Sequence, residues 1–346
     1  MCECPVAALG ELVSHRRSSL SHRAAEALRG VRRLLVDWVL RHEGTVTVDG
    51  QVYSANGHEL ALASWKIPFG EFRVESVTLV GAEFSEKNAL RFLAQHGRQI
   101  HHLDLSSAKL TDDDLQHLSA LRELRTLNLS GTRVSDAGLR HLESLESLER
   151  IDLSSTQVGD ATIAALQGNI GLMELNLSGT QVTADALPDI AAFSRLRRLE
   201  LVGTRVMAPD LSPFSQLNEL QFLWLGNLKI DDENIRQLGA LPSLLDLGLY
   251  GASLSDAGVR DIAEQFPNLQ ALWLGSNPVG DAGVKQLSRL RDLMQLQLSR
   301  TAITDDCLGE LAKLRRLRTL AIRGTDISAG AIEQLENRLP GLEVDR

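Results

Sequence analysis

The chain repeats itself every 24 residues, and no other property limits its fold as tightly. The stretch Leu124-Arg-Thr-Leu127-Asn-Leu129-Ser-Gly-Thr132-Arg-Val134-Ser-Asp-Ala-Gly-Leu139 recurs from equivalent starts at Val74, Ile100, Leu124, Leu148, Leu172, Leu196, Leu220, Leu244, Leu269, Leu293 and Leu317, with a remnant at Leu342. The intervals before Leu269 and Leu342 are 25 residues and the one before Ile100 is 26; the others are 24. These starts define eleven units and a C-terminal stub. A unit this short cannot bury both a strand and a helix alone. Stacked neighbours can, so the array must fold as a solenoid whose ends need covers.

Each unit opens with L-x-x-L-x-L. The alternation is that of a strand with one face in the core: Leu127 and Leu129 point inward, while Thr126, Asn128 and Ser130 point out. A Ser-Gly-Thr turn and an inward Val134 follow. Leu139, Leu142 and Leu145 then mark one face of a short helix. The helix start carries a capping column, Ser85, Thr111, Ser135, Thr183, Asp231, Ser255, Thr304 and Ser328, with Gly159 and Gly280 as weaker members. Acids follow the cap (Asp136, Asp160, Asp256, Asp281, Asp305), where negative charge complements the helix dipole. Basic residues collect after the helix, at Arg195, Arg197, Arg289, Arg291, Arg315 and Arg316, and read as solvated charges matched to helix ends. One unit departs from the pattern: that from Leu196 has Met207 in the cap position and carries Pro209 and Pro213, so its helix should be short or irregular.

Residues 1–73 do not repeat and are expected to cap the first unit. A helix over about 22–42 presents Leu28, Val31, Leu35 and Trp38 on one face, and Gly44 can end it. Val46, Val48, Val52 and Tyr53 flank Asp49-Gly50, a hairpin signal. Trp65-Lys-Ile-Pro-Phe69 leads into the first unit. Residues 74–346 then form the repeat domain. Cys2, Cys4 and Cys307 do not make a disulfide framework. The net charge of −9 argues against broad nucleic-acid binding. No apolar run reaches the roughly 18 residues of a membrane span and no apolar signal core opens the chain. A cytoplasmic location and a monomeric state are the expectations.

Leu129-Ser-Gly-Thr-Arg-Val-Ser-Asp-Ala-Gly-Leu139 and Leu177-Ser-Gly-Thr-Gln-Val-Thr183 resemble a large bacterial leucine-rich-repeat family abundant in planctomycetes, whose repeats read L-x-L-x-x-T-x-V-T-D-A-G-L. Arg32-Arg33 through Asp37-Trp38-Val39-Leu40, Gly44-Thr-Val-Thr-Val-Asp-Gly50 and Pro68-Phe-Gly-Glu-Phe-Arg73 are similar to the leader that precedes such repeats. The expected fold class is therefore α/β: a leucine-rich-repeat solenoid, a right-handed α/β horseshoe with a parallel concave sheet and short convex helices. The resemblance says little of function, because members are mostly uncharacterised. In some members the repeats follow a protein-kinase domain. Here there is no Gly-rich phosphate loop, H-R-D or D-F-G, and no G-x-S-x-G or H-E-x-x-H. His101-His102 face opposite ways, a poor metal pair. No catalysis, cofactor or metal is expected.

The outward columns point to binding. The third strand position carries Arg150, Glu174 and Arg198, neighbours of alternating sign that partly satisfy one another. The next units replace such charges with aromatics: Phe222, Trp224, Tyr250 and Trp273 face outward within three repeats. Exposed aromatics in a patch mark contact surfaces. Trp224 and Trp273 share a column with Gly248 between them, their backbones roughly 9–10 Å apart. Standing rings would wall a slot over Gly248, with the Tyr250 hydroxyl at its rim and Asp246 and Glu200 supplying negative charge. The expected role is a scaffold that grips a partner protein here. The alternative is a recognition or regulatory arm of an enzyme, such as a kinase, encoded upstream or on another chain.

Overall fold

The computed structural model describes residues 33–54, 72–84, 89–207 and 209–346. Expectations resting on Cys2, Cys4, helix residues 22–32, Trp65–Phe69 and Ser85 lie outside these residues. Fourteen strands form one open sheet. β1 (Thr45–Val48) and β2 (Gln51–Ser54) make a hairpin, and β1 pairs antiparallel with β3 (Val74–Thr78). From β3 to β14 (Glu343–Asp345) the pairing is parallel, one strand per unit in sequence order; β4 to β13 hold three residues each, from His102–Asp104 to Thr319–Ala321. The two middle leucines of L-x-x-L-x-L are buried in unit after unit, as at Leu127, Leu129, Leu175 and Leu177, all 0% exposed. The apolar residues merge into one continuous core from Leu35 to Leu342. The outward columns form an open face opposite the helices.

Two polar ladders run through the stack. In the turn after each regular strand a threonine is buried, and its hydroxyl donates to the carbonyl three residues back. Thr132, Thr156, Thr180 and Thr301 reach Leu129, Leu153, Leu177 and Leu298, each at 2.6 Å. This satisfies a buried carbonyl the ladder of strands leaves open. The aromatic units replace that column with Leu228, Ala252 and Asn277. Asn277 bridges the gap, donating from Nδ2 to Leu249 O at 2.8 Å and Leu274 O at 2.9 Å.

The second ladder uses the acids after the caps. The sequence pattern assigns them to the helix dipole; the structure gives them a further task. Each carboxylate reaches the cap residue of the following unit. Asp160 accepts from Thr183 N at 2.8 Å and Thr183 Oγ1 at 2.7 Å. Asp112 holds Ser135, Asp232 holds Ser255, Asp281 holds Thr304 and Asp305 holds Ser328 in the same way. Where the next cap is glycine the backbone amide alone is held, at Gly159 and Gly280; buried Thr162 supplies the missing hydroxyl to Asp136. From Ser135 on, the ladder is interrupted at two successive junctions, before Met207 and before Asp231, whose amide donates instead to Asn234 Oδ1 of its own helix at 2.9 Å. Thr183 is followed by Ala184, and Met207, half exposed, occupies the next cap position. That unit's helix shrinks to the 3-10 turn Ser212–Gln216, as its prolines require. The adjoining loop is tied instead by Asn234, whose Nδ2 donates to Pro209 O at 2.8 Å.

At the N-terminal end, residues 33–41 are helical and bury Leu35, Val36, Val39 and Leu40 in the common core. Trp38 is half-buried and stacks on Phe84, 6.2 Å between centroids, and packs against Phe92 at 5.4 Å. The helix ends at residue 41, and its left-handed closing position falls one residue before the expected glycine. Glu43 takes the left-handed conformation (φ 58°), and Gly44 N closes the turn on Val39 O at 3.0 Å. Gly44 is needed for space: a Cβ there would lie 2.6 Å from Thr78 O and 2.7 Å from Leu79 Cδ2. Asp49 (φ 48°) and Gly50 (φ 76°) form the tight turn of the hairpin.

Candidate functional site

Three adjacent strands set the aromatic residues. β9 (Phe222–Trp224) pairs with β10 (Asp246–Gly248), and β10 with β11 (Ala271–Trp273), so Gly248 stands between Trp224 and Trp273 and Asp246 between Phe222 and Ala271. The slot expected over Gly248 is not there. Both indoles lean over the glycine until their centroids are 5.9 Å apart at 54°, a tilted ring contact. A Cβ on Gly248 would lie 3.1 Å from Trp224 Cγ. The missing side chain makes room for an indole of this chain, not for one from a partner.

What fixes the pair is a single oxygen. Trp224 Nε1 donates to Asp246 Oδ1 at 3.1 Å and Trp273 Nε1 to the same atom at 3.0 Å. Asp246 Oδ2 makes no hydrogen bond with the described residues. Tyr250, from β10's unit, lies back over buried Gly226, where a Cβ would overlap its ring. Arg198, on β8 (Arg198–Glu200), places its guanidinium carbon 4.2 Å from the Phe222 ring centroid and donates to Glu200 Oε1 at 3.2 Å. Arg198 is therefore engaged with Glu200 and Phe222, while Arg150 pairs with Glu174 at 2.9 Å. Phe222, Trp224, Tyr250 and Trp273 are all half-buried, covering one another as much as they face solvent.

Burial raises the Asp246 carboxyl above its ordinary value, against the opposing pull of the two indole N–H groups and Arg198. Burial, then the charge on Glu200, also pushes the Tyr250 hydroxyl up, so it remains a donor at neutral pH. The sign of the Asp246 effect is fixed by linkage. The folded state holds the Asp246 proton more tightly than the unfolded state, so this contribution is full below the unfolded value and is lost as pH rises through the folded one. Asp246→Asn keeps an acceptor for both indoles and cannot ionise. Its stability relative to wild type is expected to improve as pH is raised from 3 to 6, in urea unfolding measured across that range; a difference independent of pH would show that the carboxylate is not desolvated.

Beside the tryptophans is a shallow cavity of about 190 Å³. Phe222, Leu245, Ala271 and Met294 give its apolar walls; Asp246 and two glutamines complete the lining. Leu245 and Met294 occupy the second strand position, a column elsewhere filled by residues such as Arg125, Glu149 and Arg197. Only the third and fifth columns suggest the site on periodicity, so these two escape that reading; an apolar pair in a charged column was the available signal. A larger depression of about 500 Å³ lies at the N-terminal edge of earlier strands. Within it His101 lies 3.6 Å from Glu123 and Arg125 3.2 Å from Glu149, and Glu146 and Arg195 add a charge of each sign to the lining.

His102 hydrogen bonds to Thr126 Oγ1 at 3.0 Å, and burial followed by the neighbouring cations holds its pKa down. Among the described residues no group of three His, Cys, Asp or Glu is placed to hold a metal ion. Burial, with Asp281 beside it, pushes the Cys307 thiol up to about 12, leaving it without nucleophilic character. Among those residues, too, no helix is long and apolar enough to cross a membrane.

Residues 121–143 and 267–288 match the family model described as Leucine Rich repeat. No curated protein matches the chain. Solved structures share the fold. An internalin (inlF) from Listeria monocytogenes aligns over 93% of this chain and 94% of its own, with 17% identity and a TM-score of 0.56. The TLR13–ssRNA13 complex aligns over 78% of this chain and 38% of that one, with 24% identity and a TM-score of 0.55. The mouse RP105/MD-1 complex aligns over 78% and 51%, with 19% identity and a TM-score of 0.55. At these identities the likeness is one of fold. The repeats, the open sheet and these neighbours define an α/β leucine-rich-repeat solenoid, the architecture of a typical protein-interaction scaffold.

Proposed function

We propose that this chain is a non-catalytic scaffold that binds a partner protein on the concave face of its sheet, at the surface built on Trp224, Trp273, Phe222 and Tyr250. The observation that carries this reading is the contact pair of indoles on the open face, tied to one carboxylate and bordered by an apolar cavity. The core does not require them there: the same columns hold Thr126, Asn128, Gln295 and Gln297 in other units. Large rigid aromatics such as Trp and Tyr are among the residues that dominate protein interfaces. One structural neighbour is the RP105/MD-1 complex and another the TLR13–ssRNA13 complex. The charge of −9 and the acids at Asp246 and Glu200 favour a protein over a polyanion.

Affinity capture from the source cells, comparing wild type with Trp224→Ala/Trp273→Ala, tests this. A true anchor pair should cost about 2 kcal/mol or more on truncation, roughly thirtyfold in affinity. A captured partner that binds the double variant with unaltered affinity would place the interface elsewhere.

A further inference from the structure

We infer that the cavity beside the tryptophan pair receives an arginine side chain of the partner. The inference rests on the concave-face reading above and names what that face would recognise. The cavity, about 190 Å³, is smaller than the roughly 300 Å³ at which small-molecule pockets begin, and is on the scale of one side chain. Its walls are apolar on the Phe222, Leu245, Ala271 and Met294 sides, which suits an aliphatic stem. Its polar end is Asp246. One oxygen of that carboxylate is spent on both indole N–H groups, and the other has no partner among the described residues.

Charge balance supplies the sign of the occupant. Arg198 is the cation nearest this patch, and it is bonded to Glu200 at 3.2 Å and laid on Phe222. Arg198 therefore acts on Asp246 only through space, and the half-buried carboxylate has no ion-pair partner among the described residues. A carboxylate in that condition is completed by a charge-assisted hydrogen bond from a cation. Among cations, guanidinium fits best. It donates five hydrogen bonds from one plane, so it can address Asp246 Oδ2 and the amide oxygens of Gln270 or Gln295 on the cavity lining together. An ammonium, a strongly hydrated point charge, would gain less from such a site. The Arg198 guanidinium on Phe222 shows that this aromatic edge accepts the group.

The experiment uses the indole N–H resonances of Trp224 and Trp273, assigned with Trp224→Phe and Trp273→Phe, because both protons are donated to Oδ1 of the carboxylate whose other oxygen would be engaged. The full chain is titrated with the blocked peptide acetyl-Gly-Ser-Arg-Ser-Gly-amide and with the same peptide carrying citrulline, the neutral isostere of arginine. The arginine peptide is expected to shift both resonances saturably and to bind about tenfold more tightly than the citrulline peptide. In Asp246→Asn, which keeps the acceptor for the indoles, that preference should vanish. Equal binding of the two peptides, no saturable shift with arginine, or a preference that survives in Asp246→Asn would each overturn the inference. The two readings fail separately: a captured partner that needs both tryptophans, together with peptides that show no preference for arginine, leaves the scaffold standing and removes the arginine.

Discussion

Deleting residues 1–54 is expected to turn the protein into an aggregating species, and Gly44→Ala to reproduce the effect locally. The helix of residues 33–41 and the β1 strand put Leu35, Val36, Val39, Leu40, Val46 and Val48 into the core, none more than 1% exposed. Each such side chain contributes about 1.5–3 kcal/mol by burial. Removing them also bares Val74, Val77 and Leu79 and leaves the backbone of β3 as an open edge, a template for association. In a repeat array the loss stays near the end where it is made. Gly44→Ala forces a Cβ against the Thr78 carbonyl and the Leu79 and Val39 side chains, which costs about 1–3 kcal/mol. Leu35→Ala should cost about 2–5 kcal/mol. The measurement is amide exchange in β3 and β4 against that in β12 (Gln295–Gln297), with light scattering for the deletion. Protection of β3 unchanged in both variants would mean that the N-terminal segment does not cover the core.

The repeat lattice was legible in the sequence because it is written in apolar spacing. The inward leucines, the alternation of the strands and the proline-shortened helix near Pro213 are properties of single units, and each follows from local rules. What escaped was anything joining one unit to the next. The capping column suggested side chains serving their own helices; in the structure the Ser135 hydroxyl accepts from Ala137 N and also donates to Asp112 of the preceding unit. A 23-residue separation between partners follows from the stacking alone and has no signature within one repeat. That Glu43 and not Gly44 takes the left-handed closing position escaped for a related reason: Gly44 is required by the backbone at Thr78, a residue far along the chain.

The candidate site was half legible. Column counting brings Trp224, Gly248 and Trp273 into line, and the sheet places them so. It cannot give ring orientation, which here depends on Asp246 in a different column drawing both indoles to one oxygen. The slot therefore closes, and the accessible hollow shifts toward the second-position residues Leu245 and Met294. Arg198, two units before Asp246 in the third column, seemed part of a charge ladder with Glu174; it turns instead to Glu200 in its own strand and to Phe222 in the next. Neighbouring side chains on an open sheet choose among several partners of similar energy, and periodicity does not rank them.

The aspartate ladder yields the other large effect. Asp160→Ala is expected to destabilise the protein by about 1–3 kcal/mol, because it strips the partner from the Thr183 amide and hydroxyl at the junction of two units. Exchange should quicken at Thr183 and its flanking amides, while the units after Ser255 keep their protection. The converse applies at the first break, before Met207. Ala184→Asp combined with Met207→Ser places a carboxylate and a cap hydroxyl in the positions they hold at the regular junctions. Ala184→Asp alone can reach only the backbone amide of residue 207, as Asp136 reaches that of Gly159 at 2.8 Å. Met207→Ser alone adds a hydroxyl with no carboxylate across from it. Together they should exceed the sum of their separate effects by about 0.5–1 kcal/mol in a double-mutant cycle, the lower part of the range for residues in direct contact. Amide exchange from residue 209 to Phe214, expected to be faster in wild type than in the helices after Ser135 and Ser255, should slow in the double variant. Strict additivity, with exchange unchanged, would show that Pro209 and Pro213 fix that loop in a path from which residue 207 cannot reach residue 184. The break lies in the unit directly before Phe222 and Trp224, so the same measurement reads whether the aromatic surface sits on a yielding junction or on a rigid one.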